Sequence, residues 1–274
     1  MRVLSIALLC ATACQPASVD PTPSVDPSAS VVTMPAATII DLSHSYDEDT
    51  VYWPTAPDFT LTTDFEGFTE AGYYYTANTF CTAEHGGTHI DAPIHFAEGR
   101  RSVDQIPLEQ LMGGAVVIDV SDQCAENADF MVGVDDFEDW EDEHGPLPDG
   151  AIVLLHTGFA RFWPDRVLYM GTDERGPEAV PNLHFPGLDP EAAEWLVTRR
   201  SINAIGLDTP SIDFGQSDDF RSHQILFEAN IPAFENLTGL HKLPPTGFVI
   251  IALPMKITGG SGGPLRIIAL VPET

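Results

Sequence analysis

The chain has 274 residues, of which 41 are acidic and 12 are Lys or Arg, for a formal net charge of −29. That balance lacks the excess of basic side chains on which phosphate recognition rests, and so argues against nucleic acid or an anionic surface as partner. Of the four cysteines only Cys81 and Cys124 lie in the part expected to fold, too few for a disulfide framework, and no later apolar run reaches the ~18 residues that would span a bilayer.

Residues 1–14 hold Arg2, an apolar run from Val3 to Leu9, and small residues before Cys14. This reads as an export signal, too short to cross a membrane. Ala11-Thr12-Ala13-Cys14 resembles a bacterial lipobox, in which the cysteine becomes the lipidated first residue; simple cleavage and secretion is the alternative. Residues 15–36 are mainly Pro, Ser, Val and Thr, with too little large apolar surface to fold. The expectation is an exported protein, periplasmic or in the cell envelope, tethered through a lipid on Cys14. Membrane contact is expected through that terminus alone.

The folded domain, 37–274, is long enough for one sizeable core. Apolar runs predict strands over 38–42, 59–63, 73–81, 115–120, 151–155, 204–207, 248–253 and 265–271. Helices are expected over 134–143, 189–200 and 218–229. The middle one has Asp189 as cap, Pro190 in its first turn, and Arg199 and Arg200 at its far end. A long β opening before any firm helix predicts an α/β fold with a mixed sheet. Cys81 and Cys124 are expected to form one disulfide or to remain two buried thiols.

The strongest signal is His85-Gly-Gly-Thr-His89-Ile-Asp91-Ala-Pro-Ile-His95-Phe96. Three of the nine histidines fall within these positions. Gly86, Gly87, Thr88 and Pro93 disfavour a helix, and in an extended segment residues 85, 89, 91 and 95 project to one side. Imidazoles and a carboxylate converging on one point form the ligand set of a divalent metal such as Zn or Mn. Glycine beside His85 also suits close approach of backbone to a bound group. His223, one turn into the third helix, and Glu235, beyond the break at Asn230 and Pro232, can fold back to the same point; spacing alone does not decide it.

The segment His85–Phe96 is similar to the H-x-G-T-H-x-D-x-P-x-H signature of the cyclase family, which includes bacterial kynurenine formamidases and isatin hydrolases. Asp41-Leu-Ser-His44, Trp53-Pro54, Leu207–Asp213, His223, Glu235 and Gly259–Arg266 extend the resemblance from about residue 38 to the C-terminus. It implies a single swivelling β/β/α domain that hydrolyses amide bonds with a bound divalent metal. By that likeness His85, His89, Asp91, His223 and Glu235 are the metal ligands, for one or two ions. His95 matches the catalytic histidine, and a homo-oligomer is implied. His156 stands where many members have Arg.

A cation of this kind supplies hydroxide at neutral pH, and a histidine near neutrality suits proton transfer. The expected activity is hydrolysis of an aryl formamide or cyclic amide, a small-molecule substrate. The alternative is an exported metal- or solute-binding lipoprotein without catalysis. Trp53, Tyr73, Tyr74, Tyr75, Phe80 and Phe96 are expected either to line an aromatic cleft or to be core. The turn Gly259–Gly263 either offers N–H groups to a substrate or simply joins two strands. His184, in a loop before Phe185-Pro186-Gly187, is a candidate for the neighbourhood of the cleft that nothing local decides.

Overall fold

The computed structural model describes residues 36–273. The expected export signal, Cys14 and the tether through residue 35 lie outside them. The strands are β1 Ala37–Asp41, β2 Thr60–Phe68, β3 Tyr74–Cys81, β4 His89–Asp91, β5 Met112–Asp119, β6 Met131–Val132, β7 Ile152–His156, β8 Gly187–Leu188, β9 Ala204–Leu207, β10 Ala233–Glu235, β11 Phe248–Pro254 and β12 Gly262–Pro272. The helices are α1 Leu108–Leu111, α2 Ser121–Glu126, α3 Val134–His144, α4 Arg166–Met170, α5 Pro190–Arg199 and α6 Arg221–Glu228.

Eight strands form one mixed sheet in the order β1-β12-β11-β5-β7-β9-β10-β4, as the mixed α/β expectation requires. Strands β5, β7, β9 and β10 run parallel, whereas β4, β11 and β12 join antiparallel. The sheet closes on itself through β12. One edge of that strand pairs with β11; the other takes β4 along Gly262–Pro264 and β1 along Ile268–Pro272. The result is barrel-like, with two buried faces.

Alternation sorts the side chains between those faces. Ile152 and Leu154 of β7 join Ala115, Val117, Phe234, Ile250 and Ile267 on one face. Val153 and Leu155 join Val116, Ile118 and Ile205 on the other, beneath Phe137 and Trp140 of α3, Leu196 of α5 and Phe227 of α6. Burial on both faces explains why Ile-Val-Leu-Leu reads as an unbroken apolar run. Each such side chain contributes roughly 1.5–3 kcal/mol by leaving water.

Helix α5 starts as expected, with the Asp189 carboxylate accepting from the Glu191 N–H at 2.7 Å. Helix α6 starts three residues later than expected, because Phe220 adopts the left-handed conformation at φ 52°. Its first N–H groups find the Asp213 carboxylate instead of a local acidic cap: Ser222 and His223 donate to it at 2.9 and 3.2 Å.

Among the described residues the hairpin β2–β3 pairs only with itself. It carries exposed Leu61, Phe68, Tyr74, Tyr75 and Phe80. Neither cysteine expectation holds: Cys81 is exposed at the end of β3 and Cys124 is buried in α2, both free.

Candidate metal centre and its cavity

The structure brings His85, His89, Asp91, His95, His223 and Glu235 to the wall of one cavity. The route differs from the expected single extended segment. Only His89–Asp91 is strand; His85 precedes a turn in which Gly86 and Gly87 have φ of 148° and 58°, and Pro93–His95 is a 3-10 turn. Strand alternation therefore accounts for His89 and Asp91, while His85 and His95 arrive by bends.

The two glycines lie against aromatic rings, and Gly86 also lines the cavity. A Cβ on Gly86 would lie 2.1 Å from the Tyr52 ring, and one on Gly87 would lie 2.6 Å from the Tyr46 ring. Glu235 stands opposite His89 in the β10–β4 register, so both side chains share a face while Ile90 and Phe234 fill the other core. Helix α6 packs over that face and carries His223.

Asp91 is the common element. Its Oδ1 lies 2.6 Å from His85 Nδ1 and 3.0 Å from His89 Nε2, and its Oδ2 lies 3.3 Å from His223 Nε2. Glu235 reaches His89 Nε2 at 3.4 Å and His223 Nε2 at 3.3 Å. Two groups of donor atoms result, His85–His89–Asp91 and Asp91–His223–Glu235, each with its atoms within 4.8 Å of one another.

Neighbouring bonds set which ring nitrogen faces inward. His89 Nδ1–H donates to the Gly87 carbonyl at 2.9 Å, leaving Nε2 toward the carboxylates. His223 Nδ1–H donates to Asp213 at 2.5 Å, with the same effect. Buried Asn236, in the left-handed region at φ 54°, donates to that Gly87 carbonyl and accepts from the Tyr169 hydroxyl.

Burial raises a carboxyl pKa, yet the imidazoles of His85, His223 and His89 hold Asp91 well below its usual range. Glu235 goes the other way: burial, and then the charge on Asp91, push it up. Burial opposes charge on His223, but hydrogen bonds to Asp213, Asp91 and Glu235 win and raise it. Burial takes His95 down to about 4, so its ring is neutral near pH 7.

This donor set fits a divalent cation. Two carboxylates are 2–3% exposed and face each other, a costly arrangement without positive charge between them. His89 Nε2 is buried without a hydrogen-bond partner, although it lies close to both acids. His95 belongs to neither donor group, and its Nε2 is 3.9 Å from Asp91 Oδ2. It stands beside the cluster, stacked on His85 with ring centroids 3.8 Å apart.

The cavity measures about 290 Å³. Its polar end is this cluster, and Val51, Trp53, Ala56, Phe96 and Phe220 make apolar walls. Of the expected aromatic lining, only Trp53 and Phe96 are there; Tyr73, Tyr74, Tyr75 and Phe80 are exposed on or beside the hairpin. Phe220, invisible to periodicity, packs against both, at 6.0 and 5.2 Å.

The turn Gly259–Gly263 does not offer its N–H groups to the cavity. Gly259 donates to Asp104 and Ser261 to Glu84. His156 pairs with Asp119 and His184 with Asp129, and neither lines the cavity.

Residues 40–214 match the family model described as "Putative cyclase". The chain is 30% identical to the isatin hydrolase of Roseibium aggregatum over 249 residues, covering 86% of this chain and 92% of that protein. The kynurenine formamidase of Salinibacter ruber is 28% identical, with 84% and 96% covered. The solved structure of isatin hydrolase A from Ralstonia solanacearum superposes with a TM-score of 0.77 at 34% identity, covering 85% of this chain and 92% of that one. Fold, site and sequence agree: the chain belongs to the cyclase family.

Proposed function

We propose that the protein is a metal-dependent hydrolase of carbon–nitrogen bonds other than peptide bonds, opening the amide of an aryl formamide or of a cyclic amide such as isatin. The observation that carries this reading is the shared Asp91 carboxylate, flanked by two donor groups, with His95 beside the cluster and outside both. The relatives, an isatin hydrolase and a kynurenine formamidase, supply the substrate class.

In this reading His85, His89 and Asp91 hold one ion, Zn or Mn, and Asp91, His223 and Glu235 hold a second where two bind. A divalent cation there polarises the carbonyl and lowers the pKa of water to ~7. The chain does the rest. His95 Nε2 takes the proton of the attacking water and delivers it to the leaving nitrogen as the C–N bond breaks, yielding a carboxylic acid and an amine. Trp53, Phe96 and Phe220 give a flat apolar seat for an aromatic ring and limit access of bulk water.

The partner in assembly is a second copy of the chain. A two-stranded hairpin is marginal alone, and the exposed side chains Leu61, Phe68, Tyr74 and Phe80 are a surface another subunit covers. A monomer by light scattering contradicts this. Export and lipid attachment at Cys14 are supported by residues 1–36 alone; fatty-acid labelling that persists in Cys14→Ser contradicts the attachment site.

The functional test is incubation of zinc- or manganese-loaded protein with isatin and N-formylkynurenine while acid release is followed. Turnover is expected. Reversible metal binding with no turnover on either substrate instead supports a metal store.

A further inference from the structure

His85 differs from the other two histidines of the cluster in the atom it presents. His89 and His223 face the carboxylates through Nε2, whereas His85 does so through Nδ1. Its Nε2 points outward, to the Ser261 hydroxyl at 2.9 Å. That hydroxyl is 2.6 Å from Glu84 Oε2, and the Ser261 N–H donates to the same oxygen at 3.0 Å.

The directions follow from the groups involved. An ionised carboxylate only accepts, so Ser261 spends its hydroxyl proton on Glu84. The Ser261 oxygen is then an acceptor for His85, which must carry its proton on Nε2. The lone pair of Nδ1 is left toward Asp91. A lone pair and a carboxylate oxygen 2.6 Å apart need a positive charge between them, either a proton or the cation.

Backbone geometry holds the arrangement. The Ala92 N–H donates to the Ser261 carbonyl at 2.8 Å, tying the turn to the end of β4. A Cβ on Gly262 would fall 2.6 Å from the His85 ring, so that glycine is the floor on which the imidazole lies. A Cβ on Gly260 would fall 2.8 Å from Glu84 Oε1. The glycine-rich turn is thus a cradle for one imidazole and one carboxylate.

We propose that Glu84 and Ser261 are positioning residues that fix the tautomer and ring orientation of His85, making Nδ1 the atom presented to the cation. This rests on the metal-centre reading above. Outer partners of this kind typically set ~10–100-fold in metal affinity.

The test uses zinc alone, with a competing chelator, together with imidazole ¹⁵N–¹H spectra of metal-free protein. Ser261→Ala and Glu84→Ala are expected to weaken zinc binding ~10–100-fold. In the metal-free spectra, wild-type His85 is expected to show an Nε2–H hydrogen-bonded to Ser261, and that signal is expected to shift and exchange faster in Ser261→Ala. Glu84→Gln, whose amide oxygen still accepts from Ser261, is expected to stay near wild type. Unchanged affinity with an unchanged Nε2–H signal in both alanine variants overturns the proposal. A wild-type protein that binds no zinc overturns the metal-centre reading instead, while the spectra still report on the relay.

Discussion

Asp213 Oδ2 lies 2.5 Å from Nδ1 of His223, on a carboxylate whose oxygens also accept from the N–H groups of Ser222 and His223. One side chain therefore caps helix α6 and orients its imidazole. Asp213→Ala should weaken zinc binding ~10–100-fold through the lost orientation and cost about 1 kcal/mol through the lost cap. Chelator competition and thermal unfolding of metal-free protein separate the two. A lower melting temperature with unchanged zinc affinity would leave Asp213 as a cap alone.

His95 stands against His85 but outside both donor groups. His95→Ala should keep the metal and lose turnover ~10²–10⁴-fold, the scale of a positioned proton carrier. Loss of metal in that variant would make His95 a ligand.

His44 stacks on Trp163 with ring centroids 4.1 Å apart, and its Nε2 is buried without a partner. Burial lowers its pKa from 6.5 to about 4, with Asp41 opposing. The unfolded chain thus binds more protons than the folded one between these values. Its contribution to stability is whole above pH ~6.5 and is lost as pH falls toward ~4. His44→Phe keeps the stack and removes the titration, so it should lessen the acid destabilisation by ~1–3 kcal/mol. Urea unfolding of both proteins at pH 7.5 and pH 4.5 measures this; identical pH dependence would contradict it.

Burial pushes the Cys124 thiol up to about 12. At pH 8 only ~10⁻⁴ of it is thiolate, the reactive form. Iodoacetamide should label exposed Cys81 in the native protein and reach Cys124 only after denaturation, as read by peptide mass mapping. Labelling of native Cys124 at the rate of Cys81 would show that its burial is not maintained in solution.

Much of the site could be read from one segment, because His85–Phe96 packs four functional side chains and the turn-forming glycines into twelve residues. The manner of their convergence could not. Strands β4 and β10 have three residues each, too short for periodicity, yet their pairing places His89 opposite Glu235. Family resemblance joins His223 and Glu235 to the site, since no local pattern announces a contact made across a closed sheet. The run Tyr73–Tyr75 does not distinguish a cleft wall from a free-standing ribbon; in the hairpin both faces are open, and all three tyrosines are exposed. Phe220 left no signal, as its place depends on a left-handed backbone at the start of α6. Glu84 and Ser261 are 177 residues apart and meet only because β12 pairs with β4.

The central claim is that the Asp91 cluster holds a cation required for hydrolysis. Metal content and turnover of isatin and N-formylkynurenine, measured on the same preparations of wild type and His89→Ala, test it most directly. Wild type should carry one or two divalent ions per chain and turn over at least one substrate, with both properties lost in the variant. A His89→Ala protein that is metal-free and fully active would contradict the account.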